Sequence, residues 1–340
     1  MRRSLVLAAI GIFFLYGLAA AGETITLCSY GGSYNKAIEE IFGKPFTKET
    51  GIEVVLTSFP NFAKMKAQVE SGNIEWDIVE PSVRGFTLGV RDGLFEPLDL
   101  TGIPVKDFAK GGVQKFGLAT IYYSHNVTYR TDVWPEGSGP KLWADIFDTK
   151  KFPGPRGFKY TAYSNLEIAL LADGVPPDKI YPIDVDRALK KLDEIKPYIK
   201  VFWKNGSHAQ QVMLAHEADC GSFPAGRMFV IAGQGAPVAC EWDGQILDLD
   251  YLCILKGSRH KQAAMRFIRY TADPKRQAAF AEKTYYGPSN LKAYDFIPSE
   301  KAKKFPTYPA NMKTAVFIDG DWYAKHGEEV ANKWEAWKLK

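Results

Sequence analysis

The sequence predicts an α/β fold arranged as two hinged lobes. Three observations carry that expectation. Short strand-like apolar runs alternate with amphipathic segments of helix length, the pattern of helices layered on sheets with parallel strands. Taking the first 21 residues from the 340 leaves 319, long for one core and sufficient for two. The pattern also has the chain leaving its first lobe near Ser124–Val127, returning near Tyr251 and leaving again. Several crossings between lobes permit hinge closure.

In chain order, residues 1–21 read as a cleaved secretory signal. Arg2 and Arg3 form its basic head, Leu5 to Leu18 is uncharged and apolar, and Ala19-Ala20-Ala21 supplies the small residues before a cleavage point. The apolar run is shorter than the ~20 residues a membrane-spanning helix needs, and Cys28 lies too far along for lipid attachment at the cleavage point. Export to the periplasm follows. Thr24 to Cys28 then reads as a strand, Gly31-Gly32-Ser33 as a loop, and Tyr34 to Thr50 as one helix stopped by Gly51. Ile52 to Thr57 is a second strand, Phe62 to Ser71 a helix, and Trp76 to Glu80 a third strand ended by Pro81-Ser82. Both loops lie at carboxyl ends of strands, where open α/β sheets bind ligands.

The second lobe begins beyond Val127. Leu142 to Phe147 reads as a helix, Asp148 to Gly157 as a Pro/Gly-rich loop, and Asn165 to Ala172 and Asp184 to Ile195 as helices. Ala218 to Phe223 and Val238 to Trp242 are strand-like, and Gln245 to Leu255 is an extended apolar run crossing back. Lys261 to Thr271 and Pro274 to Lys283 carry helical periodicity. Residues 22–127 with 251–312 make lobe one, and 128–250 with 313–340 lobe two.

Composition excludes several classes. Losing Arg2 and Arg3 leaves 41 basic against 39 acidic residues, no charge for nucleic acid. At 46% hydrophobic residues the chain is no disordered segment. His125, His208, His216, His260 and His326 are scattered without zinc-site spacing, and no phosphate loop, nucleophile elbow or dinucleotide fingerprint is present. The expectation is a monomeric binding protein, not an enzyme, with no cofactor or metal. Four cysteines are too few for a disulfide scaffold. Cys220 and Cys240 flank one helix-like stretch and so read as neighbours, Cys28 and Cys253 lie in strand-like runs, and the pairing stays open.

Five segments, in order, resemble motifs of bacterial extracellular solute-binding proteins. They are Phe46 to Val54 around Thr50-Gly51-Ile52, Asp77-Ile78-Val79-Glu80-Pro81-Ser82, Asp92 to Asp99, Trp143-Ala144-Asp145-Ile146, and Pro288-Ser289-Asn290. The match spans most of residues 24 to 335 and is nearest to the spermidine/putrescine-binding branch, with its γ-aminobutyrate-like members. The resemblance implies a type II periplasmic-binding-protein fold of mixed sheets around a hinged cleft. It also implies capture of a small amine-containing solute, an amino acid or a polyamine, and its delivery to an inner-membrane ABC permease.

Asp250 falls where polyamine binders place an acid on the lobe-crossing strand, and alternation puts Asp248 on the same face. Tyr160 to Ser164 occupies the place of an acid cluster in polyamine binders, here replaced by hydroxyls and rings. Arg227 stands where relatives that bind amino-acid-like solutes carry arginine, and Arg84 follows Ser82 at the expected ligand edge. A guanidinium repels a polyamine but holds a carboxylate bidentately. Tyr30, Tyr163, Phe223, Tyr251 and Tyr286 are the aromatic candidates, with Tyr34, Trp203 and Tyr285 behind them. The alternative is ferric-ion capture by an adjacent tyrosine pair, Tyr122-Tyr123 or Tyr285-Tyr286, phenolates being hard ligands.

Overall fold

In the computed structural model, which describes residues 22–340, two long antiparallel strands run through both halves of the molecule. The signal-peptide expectation falls on residues outside those described. The strands are β1 (Thr24–Ser29), β2 (Glu53–Ser58), β3 (Ile78–Val79), β4 (Val113–Gln114), β5 (Gly117–Arg130), β6 (Arg156–Lys159), β7 (Ile199–Trp203), β8 (Cys220–Pro224), β9 (Val238–Cys240), β10 (Ile246–Ile254), β11 (Gly287–Pro288) and β12 (Val316–Phe317). Their main path is β2-β1-β3-β10-β5-β8-β6-β7.

Strand β1 lies parallel to β2 and β3, and β6 parallel to β7 and β8. The crossing strands β5 and β10 run antiparallel to each other and to their other neighbours on that path. The sheets are therefore mixed. β5 pairs with β10 from Leu118 to His125, then with β8 from His125 to Tyr129. One core gathers Ile25, Phe42, Phe46, Ile254 and Phe267; the other gathers Trp143, Phe158, Leu166, Ile246 and Trp334.

Helices Phe62–Ser71 and Asn165–Ala172 have the expected bounds. Asp184 caps Val185–Ile195 by accepting from the Arg187 amide. The expected single helix over Tyr34 to Thr50 is three stretches of different winding: α-helical Gly32–Ile38, a wide π-type stretch Glu39–Gly43, and α-helical Lys44–Thr50. Pro45 donates no amide and crowds the carbonyl four residues back, and the wider stretch absorbs that mismatch.

Several elements went unread in the sequence, among them Val83–Arg91, β7, Gly206–Leu214 and the three that follow. Nearly every residue of β5 is buried, so no polar alternation marks it. The loop expected over Asp148 to Gly157 ends in β6, where Gly157 allows the Phe223 ring to lie against the backbone: a Cβ there would come within 2.4 Å of the ring. The chain closes in helix Gly320–Leu339, capped by Asp319.

All four cysteines are free. Cys220 and Cys240 flank β5 on opposite edges, each paired to it; they are not neighbours. Val79 of β3 likewise stands between Cys28 and Cys253. Each pair is thus two strand spacings, about 9.5 Å, apart, beyond the reach of a disulfide.

Candidate functional site

A cavity of about 410 Å³ opens between the two cores. Its walls come from the carboxyl ends of parallel strands: Tyr30 after β1, Phe59 and Pro60 after β2, Lys159 ending β6, and Lys204 to Ser207 after β7. That is the edge where α/β sheets hold ligands. β5 adds Ile121, Tyr123 and His125, one face of the strand at period two.

One carboxylate reaches this cavity. Asp250, 3% exposed, accepts a hydrogen bond from Tyr30 Oη at 2.9 Å. Burial, then the charges of Glu80 and Asp248, hold its carboxyl well above the usual range. Glu80 lies fully buried below, with its oxygens taken by Ser29 Oγ (2.5 Å), Thr120 Oγ1 (2.6 Å) and Tyr34 Oη (2.7 Å). Asp248 is likewise occupied, accepting from Tyr123 Oη and Tyr163 Oη at 2.6 Å each. Neither Glu80 nor Asp248 lines the cavity.

Three cationic residues, Arg227, Lys159 and Lys204, line the same space. Arg227, 6% exposed, donates from Nε to Tyr286 Oη at 3.0 Å and from Nη1 to Ser33 Oγ at 2.5 Å. Gly206 is required beside it, since a Cβ there would stand 2.7 Å from Arg227 Nε. Lys159 is half-buried, and desolvation lowers it to about 8 although Asp248, Glu167 and Asp250 oppose the shift. The Trp203 and Tyr163 rings lie under its ammonium at 6.0 and 4.8 Å.

Of the ten residues expected at the site, Tyr30, Arg227, Asp250 and Tyr286 line the cavity together. Asp248 and Tyr163 stand directly behind it, and Ser82 touches Asp250 only through a backbone bridge. The other three are corrections. The Phe223 ring packs over Gly157 and stacks on Trp203, on the core side of β8. Tyr251 lies beyond a bulge that follows Asp250, stacked on Phe86 at 4.2 Å with its hydroxyl on the Gly111 carbonyl. Arg84 lies against Gly327 of the C-terminal helix, away from the cavity.

His125, Lys159, Phe59 and the Lys204–Ser207 turn line the cavity without having been singled out. The turn had a legible signal: Asn205 accepts from the His208 amide as a helix cap, directly after a strand. Lys159 had none, because its position depends on β6, which the sequence disguised as loop.

Neither tyrosine pair converges. Tyr122 and Tyr123 alternate across β5, one bonded to the Lys110 carbonyl, the other to Asp248. Tyr285 packs on Phe229 and Phe305 while Tyr286 turns to Arg227. Burial raises Tyr122, Tyr123 and Tyr286, the opposite of what phenolate ligands need.

The family model described as bacterial extracellular solute-binding protein matches residues 42–313. The chain belongs to that family. It is a binding protein and not an enzyme. The binding protein is 33% identical over 339 residues to the gamma-aminobutyric acid-binding protein of Pseudomonas aeruginosa, covering 97% of this chain and 95% of the relative. It is 25% identical over 308 residues to spermidine/putrescine-binding periplasmic protein 1 of Haemophilus influenzae, covering 86% and 82%. It superposes on the solved Atu4243 GABA receptor with a TM-score of 0.85 at 35% identity, covering 93% and 98%. The two-lobe fold is that of these binding proteins.

Proposed function

We propose that this protein captures a small zwitterion of the γ-amino acid class and delivers it to an ABC permease. In this reading it works as a monomer in the periplasm, exported by a signal at residues 1–21, with lobes 22–127 plus 251–312 and 128–250 plus 313–340. One observation carries the choice of solute. The cavity holds one available carboxylate, Asp250, together with three cationic residues, Arg227, Lys159 and Lys204.

A linear polyamine needs several carboxylates spaced along a slot. Here the second and third acids, Asp248 and Glu80, are consumed by buried hydroxyls. A second ammonium would meet Arg227 instead, whereas a carboxylate gains charge-assisted hydrogen bonds of about 1.5–3 kcal/mol there. Tyr30, Tyr123, Trp203 and Tyr286 supply faces for the methylenes between the charged ends. The 33% identity to a protein named for γ-aminobutyrate supports the same solute class.

Calorimetry with γ-aminobutyrate, putrescine and spermidine tests this. The zwitterion is expected to outcompete spermidine at least tenfold, about 1.4 kcal/mol, and Arg227→Ala to weaken only the zwitterion. Tight spermidine binding that ignores Arg227→Ala would make the polyamine reading correct.

A further inference from the structure

Arg227 lines the cavity, but the bonds that aim its guanidinium come from the opposite half of the molecule. It belongs to helix Ala225–Ala232, whose Met228 and Ile231 pack in a core with Val212 and Phe223. Its Nη1 donates to Ser33 Oγ at 2.5 Å and its Nε to Tyr286 Oη at 3.0 Å. Tyr286 lies in the core around Ile25 and Phe267. Helix Gly32–Ile38, which carries Ser33, buries Tyr34, Ala37 and Ile38 in that same core. Both bonds therefore cross from one core to the other.

The two partners differ in what else they do. Tyr286 is buried, and its ring fits against the backbone at Gly226, where a Cβ would come within 2.8 Å of it. Ser33 is exposed, and its hydroxyl caps no amide of its own helix. Among the described residues, the Arg227 guanidinium is the one partner of that hydroxyl. Arg227 is 6% exposed, and no carboxylate of the described chain pairs with it. Two of its five N–H groups are used and three remain for an anion. Its stem is confined by Gly206, so the Ser33 bond fixes the last freedom of the fork. Opening of the cleft parts Ser33 from Arg227, because they ride on different lobes.

We propose that Ser33 is a positioning residue whose hydroxyl locks Arg227 across the cleft, so that the guanidinium grips the solute's carboxylate fully only when the lobes are closed. This rests on the zwitterion reading above and adds a division of labour to it. Arg227 recognises the anion, and Ser33 makes closure part of that recognition. A lock that forms on closure slows escape rather than speeding capture.

Calorimetry and stopped-flow fluorescence with γ-aminobutyrate on wild type, Ser33→Ala, Ser33→Thr and Arg227→Ala test this. Ser33→Ala should weaken binding at least about fivefold, the scale of a partly buried charge-assisted bond, nearly all of it as faster dissociation. Ser33→Thr, which restores a hydroxyl, should recover most of the affinity. The melting temperature of ligand-free Ser33→Ala should stay at the wild-type value, since an exposed side chain is removed. A loss that Ser33→Thr does not recover, or one that falls on association, would overturn the inference. So would wild-type affinity and dissociation in Ser33→Ala while Arg227→Ala is weakened, and the zwitterion reading would then stand. If neither variant weakens γ-aminobutyrate, or wild type does not bind it, both fall together.

Discussion

Asp250 is a carboxyl kept from water before any ligand arrives, and that sets its behaviour with pH. Its folded-state pKa is raised, so its contribution to stability is complete below the unfolded value and is lost as pH rises through the folded one. Asp250→Asn, which keeps an acceptor for Tyr30, should therefore raise the melting temperature of the ligand-free protein at neutral pH. The same variant should cost about 2–4 kcal/mol of amine binding. A variant that melts lower than wild type would place Asp250 among the stabilising groups. Ligand affinity should peak between two limits. On the acid side an ammonium must displace the Asp250 proton, so affinity climbs with pH. Above about 8, Lys159 loses its charge and an anionic end loses a partner. Calorimetry in buffers of different ionisation enthalpy would register proton release on binding. A flat affinity profile across that range would remove Asp250 and Lys159 from the site.

At the scale of elements, the contact between β6 and β8 depends on two facing glycines. Gly221 has φ 150°, and a Cβ there would stand 2.0 Å from the Gly157 carbonyl oxygen. Gly221→Ala should destabilise by about 3 kcal/mol, combining backbone strain with overpacking, which denaturant titration would measure. A loss under about 1 kcal/mol would mean that the strands separate easily. Compact helices were legible in the sequence, Phe62–Ser71 and Asn165–Ala172 to the residue. Strand β5 was hidden because a strand covered on both faces has no alternation to read. Asp250 and Arg227 were found through the resemblance, which implies an acid on the crossing strand and an arginine after Pro224-Ala225-Gly226, and Tyr30 and Tyr286 stood among the aromatic candidates. Phe223 and Tyr251 were misplaced through local geometry: the first on the core side of a strand, the second behind a bulge no propensity announces.

The whole molecule is joined by strands that each serve two cores. Ile246 of β10 lies in one core and Ile254 in the other. Helix Gly320–Leu339 extends the linkage, packing on helix Val83–Arg91 and on Val185–Ile195 and burying Trp334 and Trp337. Deleting residues 320–340 should abolish a single cooperative melting transition, read by calorimetric scanning. A truncated chain that melts like wild type would make the helix an appendage. The interleaving also sets an order of assembly. Strand β3 waits for β10, and the core around Trp143 waits for Val316, Ile318 and Trp334. A chain emerging from the ribosome amino end first can complete neither half until nearly all of it has been made. It thus stays threadable through a narrow channel during most of its synthesis, a delay that comes from contact order alone.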